Sequence, residues 1–150
     1  MRAAAAFVAC LTAAAFAAAA PSDTAALRRE AINRAYNLDF QGGAARARAA
    51  IEGDAQDPAN HLALASVIWA QMLFGRGVLS VDEYLGPAAV ADVTRTPPPP
   101  EATKPLLDAL GRARDLARQR LERNPRDADA LYCEGAAAGR LAAYTATEEG

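Results

Sequence analysis

The chain has 150 residues, enough for one domain once a leader is removed and too few for a scaffold plus a separate catalytic domain. Sixteen basic residues against eighteen acidic ones leave a formal charge of −2, so there is no basic excess of the kind that draws nucleic acid or acidic lipid. Apolar residues make up 52% but aromatic ones only 6%, with alanine prominent, and this predicts a folded all-α protein because Ala is the best helix former and a poor strand former.

Met1 and Arg2 precede an uncharged run from Ala3 to Ala20. A positive start, an apolar stretch through Phe7, Val8, Leu11 and Phe16, and small residues at Ala17 to Ala20 predict a signal peptide over 1–19, cut after Ala19. An uncleaved N-terminal anchor is the competing reading. Cleavage would make the product exported, periplasmic or secreted, with no membrane span in the mature chain, since no second apolar segment approaches spanning length. Cys10 would leave with the leader. Cys133 would then stand alone, as a small buried thiol or, in the sharper reading, as a reactive thiol or an intermolecular bridge.

Ser22 or Asp23 can cap a first helix from Thr24, in which Leu27, Ala31, Ala35 and Leu38 recur at helical spacing with Ile32 and Tyr36 beside them. The pair Gly42-Gly43 predicts a break over Asp39 to Gly43, followed by a short second helix from Ala44 to Ile51 that ends at Gly53-Asp54. Asp57-Pro58 reads as an N-cap followed by proline at the first helical position, where a missing N–H costs nothing. The third helix, Pro58 to Phe74, is apolar around most of its circumference and should be the buried spine. Residues 75–104 are expected to form an insertion, with a short helix near Val81 to Leu85 and a stiff spacer at Pro97 to Pro100. A fourth helix is predicted from Lys104 to Arg123 and stopped by Asn124-Pro125; Asp127 can cap a fifth that runs toward Tyr144.

Pro58 and Pro125 lie 67 residues apart, close to twice the period of about 34 of a tetratricopeptide array. With Pro125 on that repeat's proline, Ala113 and Ala117 fall on its second-helix packing positions, Leu131 on the large apolar position and Gly135 on the glycine. Tyr36 and Ala45 take their places in the first repeat, with one extra residue before Pro58, and Ile68 stands where the middle repeat would carry glycine. The phrases Tyr36-Asn37-Leu38-Asp39-Phe40, Asp57-Pro58-Ala59-Asn60 and Asn124-Pro125-Arg126-Asp127 follow in the same order. Over 21–150 the chain therefore resembles a divergent tetratricopeptide-repeat protein of the exported bacterial kind. The resemblance implies a TPR-like α-solenoid of stacked antiparallel helix pairs over 20–150, with a concave groove for a protein or peptide segment and no catalytic residues. In that register the groove candidates are Arg34 and Asn37, Trp69 and Met72, and Tyr132 and Arg140; Trp69 and Met72 lie on the apolar helix, which favours core packing over ligand contact for them, and simple solvation is the competing reading of Arg34 and Arg140.

Chemistry is sparse. His61 is the one histidine, so no His-rich metal site and no conventional triad can be assembled. Asp54, Asp57 and Asn60 lack the central Gly and terminal Glu of a calcium loop and read as capping and turn residues. No glycine pattern cradles phosphate. The expectation is a non-enzymatic, cofactor-free and metal-free binding scaffold of the bacterial cell envelope, of undetermined oligomeric state. The alternatives are an accessory or regulatory segment of a longer envelope enzyme or transport machine, and a helical domain that binds a small molecule against the third helix.

Overall fold

A computed structural model describes residues 23–75 and 100–148. The predicted leader with Cys10, the helix expected near Val81 to Leu85 and the expected spacer over Pro97 to Pro99 lie outside the described residues. Those described form five helices: α1 (Thr24–Tyr36), α2 (Phe40–Gly53), α3 (Pro58–Gly75), α4 (Pro100–Arg123) and α5 (Ala128–Glu148). The domain is all-α. Each helix packs on its neighbour in sequence, and α3 also touches α1 and α5, so it contacts every other helix.

Capping aspartates set the starts of α1, α3 and α5. Asp23 Oδ1 accepts from the Ala26 N–H at 2.9 Å, Asp57 Oδ1 from Ala59 at 3.0 Å and Asp127 Oδ1 from Ala130 at 3.0 Å, each satisfying a donor the first turn would leave orphaned. Pro58 occupies the first helical position behind Asp57. Asp54 and Asn124 close the same turn three residues earlier, Asp54 Oδ1 accepting from Gln56 N at 2.8 Å and Asn124 Oδ1 from Arg126 N at 3.2 Å. The equivalent points along the chain are therefore Asp23, Asp57 and Asp127, spaced by 34 and 70 residues.

This register corrects the one based on prolines. Pro58 is helical whereas Pro125 lies in the turn, so the two are not equivalent. The counterparts of Gly135 are Ala31 and Ala65, both fully buried, rather than Ile68. α1, α3 and α5 thus each carry a small residue at that place.

The second helix also starts earlier than its glycines predict. Leu38, at φ 62°, turns the chain in the left-handed region, and Asp39 Oδ1 then accepts from Gly42 N at 2.9 Å, so the helix begins at Phe40 and both glycines lie inside it. Gly43 serves a close approach: a Cβ there would stand 2.9 Å from the Ala31 carbonyl oxygen and 3.3 Å from Val67 Cγ1. Ala45, assigned to this packing position from the sequence, is exposed. At the other boundaries, Gly75 closes α3, residues 100–104 belong to α4 rather than to an insertion, and α5 continues to Glu148.

Two apolar clusters share α3. One joins Ala31, Ala35, Ala44 and Ala47 to Ala63 and Val67; the other joins Leu62, Ala65, Ile68 and Met72 to Leu106, Leu110, Ala113, Cys133 and Tyr144. Alanine lets the axes come close, at the cost of little area per residue, so the fit is sensitive to a single added methyl. Gly43→Ala is expected to cost about 1–2 kcal/mol although Ala is the better helix former by about 1 kcal/mol, because the clash is with backbone. Gly135 is exposed with nothing within 4 Å of an added Cβ, so Gly135→Ala should gain about 0.5–1 kcal/mol. Urea unfolding of both variants checks this; a gain for Gly43→Ala would refute the close approach of α2 to α1.

Candidate functional site

Equivalent faces of α1, α3 and α5 line a groove of about 590 Å³. The fifth residues after the three capping aspartates, Arg28, Leu62 and Tyr132, all border it, and so do the thirteenth, Tyr36, Ala70 and Arg140. Ile32 and Ser66, the ninth residues on α1 and α3, lie between them. These positions are 4 and 8 residues apart and so share one face of a helix, and three capped helices in the same register present one continuous strip. Trp69 adds an indole whose other edge meets the Tyr144 ring, 6.4 Å between centroids at 67°. Tyr36 is 84% exposed, Leu38 54% and Tyr132 68%, a concentration of large solvent-facing apolar surface at one groove.

Of the six residues nominated from the sequence, Trp69, Tyr132 and Arg140 come together here. Met72 does not: it is buried in the cluster with Leu106 and Leu110. Arg34 is engaged between α1 and the start of α2, its Nε 3.0 Å from Glu30 Oε1 and its Nη1 2.8 Å from Asp39 Oδ2, with Arg46 on the same Glu30 at 3.0 Å. These bonds hold the Arg34 guanidinium above its ordinary pKa and the Glu30 carboxyl below it. Asn37 donates its Nδ2 to the Asn33 carbonyl at 2.7 Å and closes the end of α1. Reasoning from prolines missed Arg28, Ile32, Tyr36, Leu62 and Ser66; counting from the capping aspartates would have found them.

Among the described residues no Asp or Glu lines the groove, and its two arginines are in different electrostatic states. Arg28 Nη1 donates to Asp57 Oδ2 at 2.6 Å and to Asn60 Oδ1 at 2.7 Å, so its charge is compensated internally. Arg120 binds Asp127 at 2.8 Å and approaches Asp57 at 3.9 Å, completing a brace beside it. The Ala130 N–H and then Arg120 hold the Asp127 carboxyl below its usual range. Arg140, half-buried, forms no ion pair among the described residues; its Nη1 donates only a long bond, 3.4 Å, to the Ala136 carbonyl.

The other chemically notable side chains serve the scaffold. The His61 Nε2 stands 3.0 Å from the Ala55 carbonyl oxygen, and among the described residues no three His, Cys, Asp or Glu side chains could hold a metal ion together. No helix among the described residues is long and apolar enough to cross a membrane. Cys133 is 1% exposed, and burial pushes its thiol pKa up, the opposite of what a reactive cysteine needs. In a Cys10→Ser chain, a thiol reagent at neutral pH is expected to label Cys133 only as fast as the domain opens and fully in denaturant; rapid native-state labelling would contradict its burial. Comparison of the chain with protein-family models, with curated proteins and with solved structures finds no match.

Proposed function

We propose that the chain is a non-catalytic, tetratricopeptide-like scaffold of the bacterial cell envelope that binds a protein or peptide segment in the groove of α1, α3 and α5. The observation that carries this reading is the repetition of the groove itself: the same register positions after Asp23, Asp57 and Asp127 supply its wall. The 34-residue step from Asp23 to Asp57 matches the repeat period of that family, and the fully buried Ala31 and Ala65 supply its small residue in α1 and α3, with Gly135 at the same register position of α5. Solvent-facing Tyr and half-buried Trp side chains are the kinds that anchor protein interfaces, because they bring large area at low entropic cost. Placement in the envelope rests on the leader-like composition of residues 1–19.

The test is panning of a random octapeptide library, displayed with constant flanks at both ends, against the purified chain and against Tyr132→Ala. Tyr132 is exposed, so its truncation spares the fold. Peptides enriched on the parent chain and lost on the variant would support a peptide groove; no enrichment dependent on Tyr132 would overturn it. A volume near 590 Å³ also lies within the range of small-molecule pockets, which keeps a helical small-molecule domain as the second reading. Saturable binding of apolar compounds with no peptide enrichment would favour that one.

A further inference from the structure

We infer that the segment the groove accepts carries a side-chain carboxylate next to apolar or aromatic residues, and that this carboxylate seats on Arg140. The inference rests on the peptide-groove reading above and specifies its ligand. Among the described residues the lining holds two cations and no anion, in a chain whose overall charge is −2, so the positive character is local to this face. Arg28 cannot supply a binding charge without giving up Asp57 and Asn60. Arg140 has neither constraint, and its guanidinium offers a planar fork that a carboxylate meets with two parallel hydrogen bonds.

The surroundings decide the flanking chemistry. Trp69 and Tyr132 border the same groove as Arg140, with Leu62 and Leu73 from α3. An apolar side chain beside the carboxylate would cover these surfaces and exclude water from the ion pair, which strengthens it over an exposed one. A Lys or Arg at the same place would face Arg140 with no acid among the described lining residues to offset it, so the groove discriminates by repulsion as well as attraction. Among the described residues the strip runs across three helices, which suits a chain passing over all three and hence an internal Asp or Glu rather than a terminal carboxylate.

The octapeptide library with constant flanks tests this directly, since it presents no free terminal carboxylate. The recovered sequences are expected to pair Asp or Glu with Leu, Phe, Tyr or Trp at a neighbouring position. One recovered octapeptide and its Glu→Gln analogue are then titrated against the chain, with emission from Trp69, the one tryptophan, as the readout. The parent chain should bind the Glu form about tenfold more tightly or better, as expected for a charge-assisted pair in a partly dry site. Arg140→Gln should bring the two forms within about twofold, whereas Arg140→Lys should keep part of the preference. Peptides that depend on Tyr132 but show no acid enrichment, or equal binding of the Glu and Gln forms to the parent chain, would overturn this inference and leave the groove reading standing. Failure to recover any Tyr132-dependent peptide would overturn both.

Discussion

Asn60→Ala is expected to lower the unfolding free energy by about 4 kcal/mol, the largest effect of a single truncation in the N-terminal half. Asn60 is completely buried, yet every polar atom of its side chain is used. Its Nδ2 donates to the Ala50 carbonyl at 2.9 Å and the Asp54 carbonyl at 2.7 Å, and its Oδ1 accepts from Arg28 Nη1 at 2.7 Å. One side chain thereby ties α1, the end of α2 and the start of α3. Removal strands the Asp54 carbonyl and part of the Arg28 guanidinium, at about 1–3 kcal/mol for each buried group left unpaired, and opens a cavity besides. Asn60→Asp separates the two contributions: it fills the space but puts an acceptor against two carbonyls, so it should also destabilise. Chemical denaturation measures both, and a loss below about 1 kcal/mol for either would refute the junction.

Leu110→Ala should cost about 3–4 kcal/mol. Leu110 is 1% exposed in the cluster where α3, α4 and α5 meet, and with Leu106 it is among the largest fully buried side chains. Truncation of such a leucine loses its transfer free energy and leaves a void that tightly packed neighbours cannot fill. Leu131, half exposed on α5, is the internal control, and Leu131→Ala should change stability by about 0.5 kcal/mol or less. Similar losses from the two leucines would mean that α4 does not pack as described. A typical domain of this size holds only about 5–15 kcal/mol in total, so Leu110→Ala should also expose the chain to proteolysis at moderate temperature.

The starts of α1, α3 and α5 could be read from the sequence because a capping aspartate acts locally: Asp23, Asp57 and Asp127 each satisfy an N–H two or three residues ahead. Gly42-Gly43 misled for the opposite reason. A glycine pair in isolation favours a turn, and only the approach of the Ala31 carbonyl explains why one belongs inside a helix. Pro58 and Pro125 misled because proline suits both a first helical turn and the loop before it, so equal residues marked unequal positions. That three-residue error carried into the groove. Trp69, Tyr132 and Arg140 reach it, but Met72, on a helix apolar all round, gave no periodic signal of which face turns inward. Arg34 shares an acid with Arg46 on α2, a pairing set by tertiary structure alone.

If α1, α3 and α5 make the binding face, an octapeptide recovered by panning perturbs that face and leaves the outer helices alone. ¹H–¹⁵N correlation spectra of the labelled chain, free and saturated with such a peptide, should show shifts concentrated at Tyr36, Ser66, the Trp69 indole, Tyr132 and Arg140, with Arg48 on α2 and Arg112 on α4 unmoved. Shifts centred on Arg48 or Arg112, with the Trp69 indole unchanged, would place the binding face elsewhere.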